Sequence, residues 1–178
     1  MRLTTHRCEI REFELSDSEG LFAAMSDPEI GAMHSGGFCD ISAARDYIEL
    51  LRKEYEIGIF KTLAVVERQS GFLIGSVTID KHNLFHRAEI SYWIINSHRN
   101  QGYATEVVAE IIKYGLSKMA LGRIQAIHFA NNPASGRVLE KAGMVYEGTL
   151  RCYIGMNGQF SDARMYSFIK ADLRDEYE

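Results

Sequence analysis

Apolar positions along the chain change their period several times, and each change marks an element. From Arg7 to Glu14 polar and apolar residues alternate through Cys8, Ile10 and Phe13, the pattern of a half-buried strand. Ser16-Asp17-Ser18-Glu19 has capping-box spacing, with Ser16 at the cap. Leu21, Phe22 and Met25 then recur at helical spacing as far as Asp27-Pro28. Gly31 to Asp40 has three glycines and no period, so a loop is expected. Ser42 opens a second helix carrying Ala43, Tyr47, Ile48, Leu51 and Tyr55 on one face and ending near Gly58. Thr62 to Glu67, Phe72 to Asp80 and Ala88 to Ile95 form an antiparallel meander. Val107, Val108, Ile111, Ile112, Leu116 and Met119 are the apolar face of a long helix, closed by Leu121-Gly122. Ile124 to Ala130 is a strand. Asn132 caps the next helix with Pro133 at its first position, where no hydrogen bond is lost; it runs through Val138 and Leu139 to Gly143. Met144 to Tyr153 and Ala163 to Ala171 are two final strands about an Asn157-Gly158 turn. A strand, two helices, a meander and then strand-helix alternation predict an α/β fold with a mixed sheet.

Length and charge narrow the function. At 178 residues the chain is expected to form one domain spanning residues 1–178. A net charge of −4 without a basic block argues against a nucleic-acid partner and against an anionic membrane surface. No apolar run is long enough to span a bilayer, and Met1 to His6 lacks the apolar core of a signal peptide. Cys8, Cys39 and Cys152 fit neither a disulfide framework nor a zinc site, so free thiols in a cytoplasmic protein are expected. His82 and His86 are interrupted by a turn signal at Asn83, and no metal site is expected.

Arg99-Asn100-Gln101-Gly102-Tyr103-Ala104-Thr105-Glu106 lies between an apolar strand and a long helix. The last N–H groups of such a turn, and the first of the helix, have no internal partners and suit an anion, above all a phosphate. Small residues at Gly102 and Ala104 would let that anion come close to the backbone. On its own the stretch reads first as a crowded corner, and its neighbours decide.

Those neighbours resemble the GCN5-related N-acetyltransferases (GNAT family). Arg99-x-x-Gly102-x-Ala104 matches the family's acyl-CoA turn, Q/R-x-x-G-x-G/A. Within the family the chain looks most like the enzymes that acetylate the N-terminal residue of ribosomal proteins. The likeness runs through Leu15-x-Asp17, Asp27-Pro28, Glu89-Ile90-x-Tyr92-Trp93, Asn132-Pro133-Ala134-Ser135, Leu139-Glu140-Lys141-Ala142-Gly143-Met144, Glu147-Gly148-x-Leu150-Arg151, Asn157-Gly158 and Asp162. It implies a GNAT-type mixed, mostly antiparallel splayed sheet flanked by helices. It also implies acetyl transfer from acetyl-CoA, with CoA as product. Arg99, Asn100, Gln101, Gly102, Tyr103, Ala104 and Thr105 would hold the pyrophosphate. Trp93 and Ile94 would pair main-chain groups with the pantetheine amides, and Asn132 would contact the arm near its thiol. The Trp93 side chain remains free to be core.

Attack of an amine on a thioester needs a neutral amine, a polarised carbonyl and a hydrogen-bond donor for the departing thiolate. Many GNAT enzymes supply that donor from a tyrosine seven residues after the asparagine; here the position is Leu139. Ser135 is the replacement that the N-terminal-acetylating branch suggests, one helical turn before Leu139 on the same face. Tyr153 is a second candidate. Glu89 is the candidate base, acting through a water, and is equally read as a solvated glutamate or a partner for Arg87. The related branch often has a carboxylate near Tyr153-Ile154, whereas no acidic residue lies between Arg151 and Gly158 here. The expected acceptor is a protein N-terminus. The alternatives are a small amine (polyamine or aminoglycoside) and an acyl-CoA-binding sensor without turnover. Met165, Tyr166 and Phe168 on the final hairpin would allow a homodimer, though such residues are more often core.

Overall fold

The computed structural model describes residues 1–33, 37–57, 60–156 and 158–175. Its elements are β1 (Arg2–Thr4), β2 (Cys8–Arg11), α1 (Ser18–Met25), α2 (Pro28–Met33), α3 (Ile41–Ile57), β3 (Phe60–Glu67), β4 (Leu73–His82), β5 (Arg87–Ile94), α4 (Tyr103–Lys118), β6 (Arg123–Phe129), α5 (Pro133–Lys141), β7 (Val145–Met156) and β8 (Gln159–Ile169). The eight strands form one open sheet in the hydrogen-bonded order β1-β2-β3-β4-β5-β6-β8-β7. β5 and β6 run parallel, while β1-β2, β2-β3, β6-β8 and β7-β8 are antiparallel. Contacts group the chain into two compact units, Met1–Thr78 with Tyr92–Val107, and Ile79–Ser91 with Val108–Glu178.

The first unit is organised by burial of α1 and α3 against β3. Leu21, Ala24 and Met25 of α1, with Ile30 of α2, pack on Ile48 and Leu51 of α3 and on Ala64, Val66, Leu73 and Trp93. Asp40, rather than Ser42, caps α3, its carboxylate accepting from the Ala43 N–H at 2.8 Å. The entry to α1 also differs from the capping box expected at Ser16 and Glu19. A short 3₁₀ turn, Leu15–Asp17, precedes the helix. There the Asp17 carboxylate takes both arms of the Arg11 guanidinium (2.7 and 2.9 Å) and the Glu14 N–H (2.8 Å). Arg11 and Asp17 are both buried, and a buried charge requires such a partner. The loop expected from Gly31 to Asp40 is helical in its first residues, within α2; His34, Ser35 and Gly36 lie outside the described residues.

In the second unit β6 pairs with β8 over seven positions, from Arg123↔Ile169 to Phe129↔Ala163. Ile111, Ile112 and Leu116 of α4, Ile124 and Ala126 of β6 and Leu139 of α5 are buried. Tyr166, offered above as a residue for a dimer interface, is buried as well. β7 shows register shifts between Tyr146 and Gly148 and between Leu150 and Ile154. α4 ends at Lys118 and is followed by Ala120 in the left-handed conformation (φ 52°), one position before the Leu121-Gly122 signal.

Candidate active site

In the first unit the turn and the start of α4 form one structure. Helix α4 begins at Tyr103, four residues before its apolar periodicity, so Tyr103, Ala104 and Thr105 belong to its first turn rather than to the preceding loop. Asn100 (φ 61°) and Gly102 (φ 86°) are left-handed, which bends the chain sharply into the helix. At Gly102 that φ explains the glycine, since a side chain would be strained there. The Glu106 N–H closes the first α-helical bond, to Gly102 O at 3.1 Å. Among the described residues no hydrogen bond uses the N–H of Gly102, Tyr103, Ala104 or Thr105. Four orphan donors at the positive end of a 16-residue helix fit an acyl-CoA pyrophosphate.

The motif arginine is turned away from this end. Arg99 Nε donates to Ile94 O (2.9 Å), while Nη1 pairs with Glu29 (2.5 Å) and Nη2 with Asp27 (3.6 Å). It ties the turn to α2. Its bond also occupies one lone pair of the Ile94 carbonyl, a group expected to face the pantetheine. Trp93 is buried in the unit's core cluster, as its side chain would be when only its main chain serves a ligand. The Cβ of any residue at position 75 would lie 2.4 Å from Trp93 O, so Gly75 permits the close approach of β4 to that segment.

Arg7 was not among the residues singled out from sequence. Its Nε donates to Glu106 Oε2 (2.8 Å), its backbone N–H to Glu106 Oε1 (2.7 Å) and its Nη1 to Gln101 O (2.9 Å). Its guanidinium lies 4.1 Å from the centre of the Tyr103 ring. The Tyr103 hydroxyl donates to Glu67 at 2.6 Å, and this bond raises its pKa. Burial pushes the Glu106 carboxyl up, but hydrogen bonds from Thr5 and from the Arg7 main chain and guanidinium outweigh it and hold the group below the usual range. No periodicity could have shown this cluster, because Arg7 and Glu106 are 99 residues apart.

The same unit contains a cleft of about 660 Å³ lined by Asp17, Glu19, Asp27, Ile74, Ile95 and His98, among others. Its carboxylates are largely matched by arginines: Asp17 pairs with Arg11, which also lines the cleft, and Asp27 with Arg99.

In the second unit Asn132 does cap α5, its Oδ1 accepting from the Ser135 N–H at 3.2 Å. That leaves the Asn132 side-chain NH₂ to donate elsewhere. Ser135 is half-buried, and Leu139, one turn on, is wholly buried. Glu89 accepts from Gln125 Nε2 at 3.0 Å. Arg87, the alternative partner expected for Glu89, donates instead to Gln125 Oε1 (3.2 Å), which also receives Arg123 Nε (3.1 Å). The amide is therefore oriented by two arginines and holds Glu89 through its other end. Tyr153 is 53% exposed and sits within the irregular part of β7, where Cys152 is left-handed (φ 52°). Among the described residues no group of His, Cys, Asp and Glu is arranged to hold a metal ion.

The comparisons with known proteins bear on the family and the fold. The family model described as an acetyltransferase (GNAT) domain matches residues 7–145. The chain is 35% identical over 173 residues to the uncharacterized N-acetyltransferase YoaA of Bacillus subtilis (strain 168), covering 94% of this chain and 96% of that protein. It is 32% identical over 174 residues to the uncharacterized N-acetyltransferase p20 of Bacillus licheniformis, covering 96% and 97%. Among solved structures, an acetyltransferase (GNAT family) from Bacillus anthracis superposes with a TM-score of 0.84 at 28% identity, covering 96% of this chain and 99% of that one. Other structures of the same fold hold coenzyme A or acetyl-CoA. The chain belongs to the GNAT acetyltransferase family and is an N-acetyltransferase.

Proposed function

We propose that this enzyme transfers the acetyl group of acetyl-CoA to the N-terminal α-amino group of a protein or peptide by direct attack. Four N–H groups at the start of α4 that have no hydrogen-bond partner among the described residues, in a chain of this family, are the observation that carries the donor. Acetyl-CoA supplies an activated thioester. The α4 end would hold its diphosphate and the main chain of Trp93 and Ile94 would pair with the pantetheine amides; by the family resemblance, Asn132 would contact the arm near its thiol. Glu89, held by Gln125, takes the amine proton through a water as the C–N bond forms. The Ser135 hydroxyl hydrogen-bonds the thiolate as the C–S bond breaks, and Tyr153 is the second donor in reserve. An α-amino group, with a pKa of about 8, needs far less help to deprotonate than a lysine at about 10.4, which suits a site with one modest carboxylate. Relatives with named acceptors support the class. The ribosomal-protein-serine acetyltransferase of Escherichia coli (strain K12) is 28% identical over 98 residues, and the L-amino acid N-acetyltransferase AaaT of the same organism is 25% identical over 167.

A second reading, a small polycationic amine as acceptor, would draw on Glu19 in the cleft beside α1, where the other carboxylates, Asp17 and Asp27, are paired with Arg11 and Arg99. Free-thiol release from acetyl-CoA separates the readings, with peptides that differ only in their first residue tested beside spermidine and an aminoglycoside. Turnover on peptides with dependence on the first residue is expected. Turnover confined to the polycations overturns the protein acceptor, and CoA binding with no turnover on any amine overturns the enzyme in favour of a sensor.

A further inference from the structure

We infer that Arg7, which lies outside the family's turn motif, supplies the cation for the cofactor's diphosphate; this rests on the reading of residues 99–106 as an acyl-CoA cradle. A diphosphate carries two negative charges, and backbone N–H groups offer only partial positive charge. The motif's own arginine does not add to it, because Arg99 is committed to Ile94 O, Asp27 and Glu29.

Arg7 occupies the vacant role. Its Nη2 would lie 3.4 Å from a Cβ built on Gly102, on the surface that the glycine leaves open. No hydrogen bond from Nη2 is made among the described residues. The remaining atoms of the guanidinium are fixed by Glu106, by Gln101 O and by the Tyr103 face. Tyr103 is itself anchored on Glu67. The side chain is 34% exposed, so a ligand reaches it without displacing protein. Glu106 faces the same guanidinium, but its two oxygens are engaged by Nε and by the Arg7 N–H. A donor held this rigidly loses little entropy on binding, and a charged, forked hydrogen bond to phosphate is among the strong ones. Lysine, a point charge with a flexible stem, could not bridge Glu106, Gln101 and a ligand together.

Calorimetry with CoA and with 3′-dephospho-CoA, on the wild type and on Arg7→Gln and Arg7→Lys, tests this, together with kcat/KM for S-acetylpantetheine as a donor without phosphate. Arg7→Gln is expected to weaken CoA about tenfold, the scale of one hydrogen bond to a charged group. It should weaken 3′-dephospho-CoA by the same factor, since both carry the diphosphate, and leave kcat/KM for S-acetylpantetheine within about twofold. Arg7→Lys should fall between. Unchanged CoA affinity in Arg7→Gln overturns the inference. So does an equal loss with S-acetylpantetheine, which would mark Arg7 as scaffold, and so does a loss with CoA alone, which would place Arg7 on the 3′-phosphate. A wild type that does not bind CoA at all would instead overturn the cradle itself.

Discussion

Helices α4 and α5 each follow a strand, α4 through residues 95–102 and α5 through residues 130–132, and their N-termini are finished in opposite ways. α5 is closed by its own chain: Asn132 Oδ1 takes the Ser135 N–H, and Pro133 has no N–H to satisfy. α4 has no such cap. Its first N–H groups are left open, while the side chains around them, Arg7, Tyr103 and Glu106, bond to one another. A helix that needed only stability would be capped like α5, because an N-cap contributes about 1 kcal/mol. Leaving that out at α4 makes sense for an end completed by a ligand. The α5 end is already satisfied, and in the proposed reaction it would present the Asn132 amide and the Ser135 hydroxyl at a fixed place.

The strongest way to break this contrast is at Gly102. Gly102→Glu adds a negative charge and a side chain at a left-handed position (φ 86°). It is expected to lower CoA affinity on the order of a hundredfold or more by calorimetry, from lost charge-assisted bonds and new repulsion. Tight binding by that variant would sink the assignment of the α4 end. At the α5 end the expected effect moves from binding to turnover. Ser135→Ala should reduce kcat by about a hundredfold, as for loss of a positioned proton donor, with CoA affinity within about twofold. An unchanged steady-state rate would make Ser135 structural.

Asn132 sharpens the contrast, because it combines a cap with a contact. Asn132→Ala is expected to lower Tm by about 2–4 °C, the shift that about 1 kcal/mol produces in a domain of this size. Asn132→Ser should restore Tm, since serine also caps, while the KM for acetyl-CoA stays raised in both. If the KM follows Tm back to the wild-type value, Asn132 is a cap and no more. The smallest effect lies in the charges that brace the sheet beneath α5. Arg123, and then the Ser167 hydroxyl, hold the Glu147 carboxyl at about 2, below its ordinary 4.5. A carboxyl depressed in the folded state stabilises the fold above its unfolded pKa and loses that contribution as the pH falls through its folded one. The Tm difference between wild type and Glu147→Gln should therefore be present at pH 6 and fade between about 4.5 and 2. A difference that persists at the acid end would point to packing instead.

What could be read from sequence follows the range of the forces involved. α5 was legible to its cap, because Asn132, Pro133 and Gly143 act within a few residues. The strands of the meander and of the last hairpin were legible as apolar runs bounded by turn residues, although β7 and β8 extend beyond the predicted limits. α2 was hidden because Pro28 looked like a stop, whereas it occupies the first position of a new helix. The start of α4 lies ahead of its apolar periodicity, since Tyr103 to Glu106 has no apolar period and is set by the bend at Asn100 and Gly102. The Arg11–Asp17 pair replaced the expected cap for a reason that burial alone supplies. Arg7 lies farthest from view: its partners are Gln101, Tyr103 and Glu106, reached only through the fold.

The amide resonances of Gly102, Tyr103, Ala104 and Thr105 give the plainest reading of the open helix end. In ¹⁵N-labelled protein, CoA is expected to shift all four and slow their hydrogen exchange, and S-acetylpantetheine, which lacks phosphate, is expected to leave them near their free positions. CoA that binds and shifts other amides while leaving these four unmoved and unprotected would contradict the assignment of the α4 N-terminus to the cofactor.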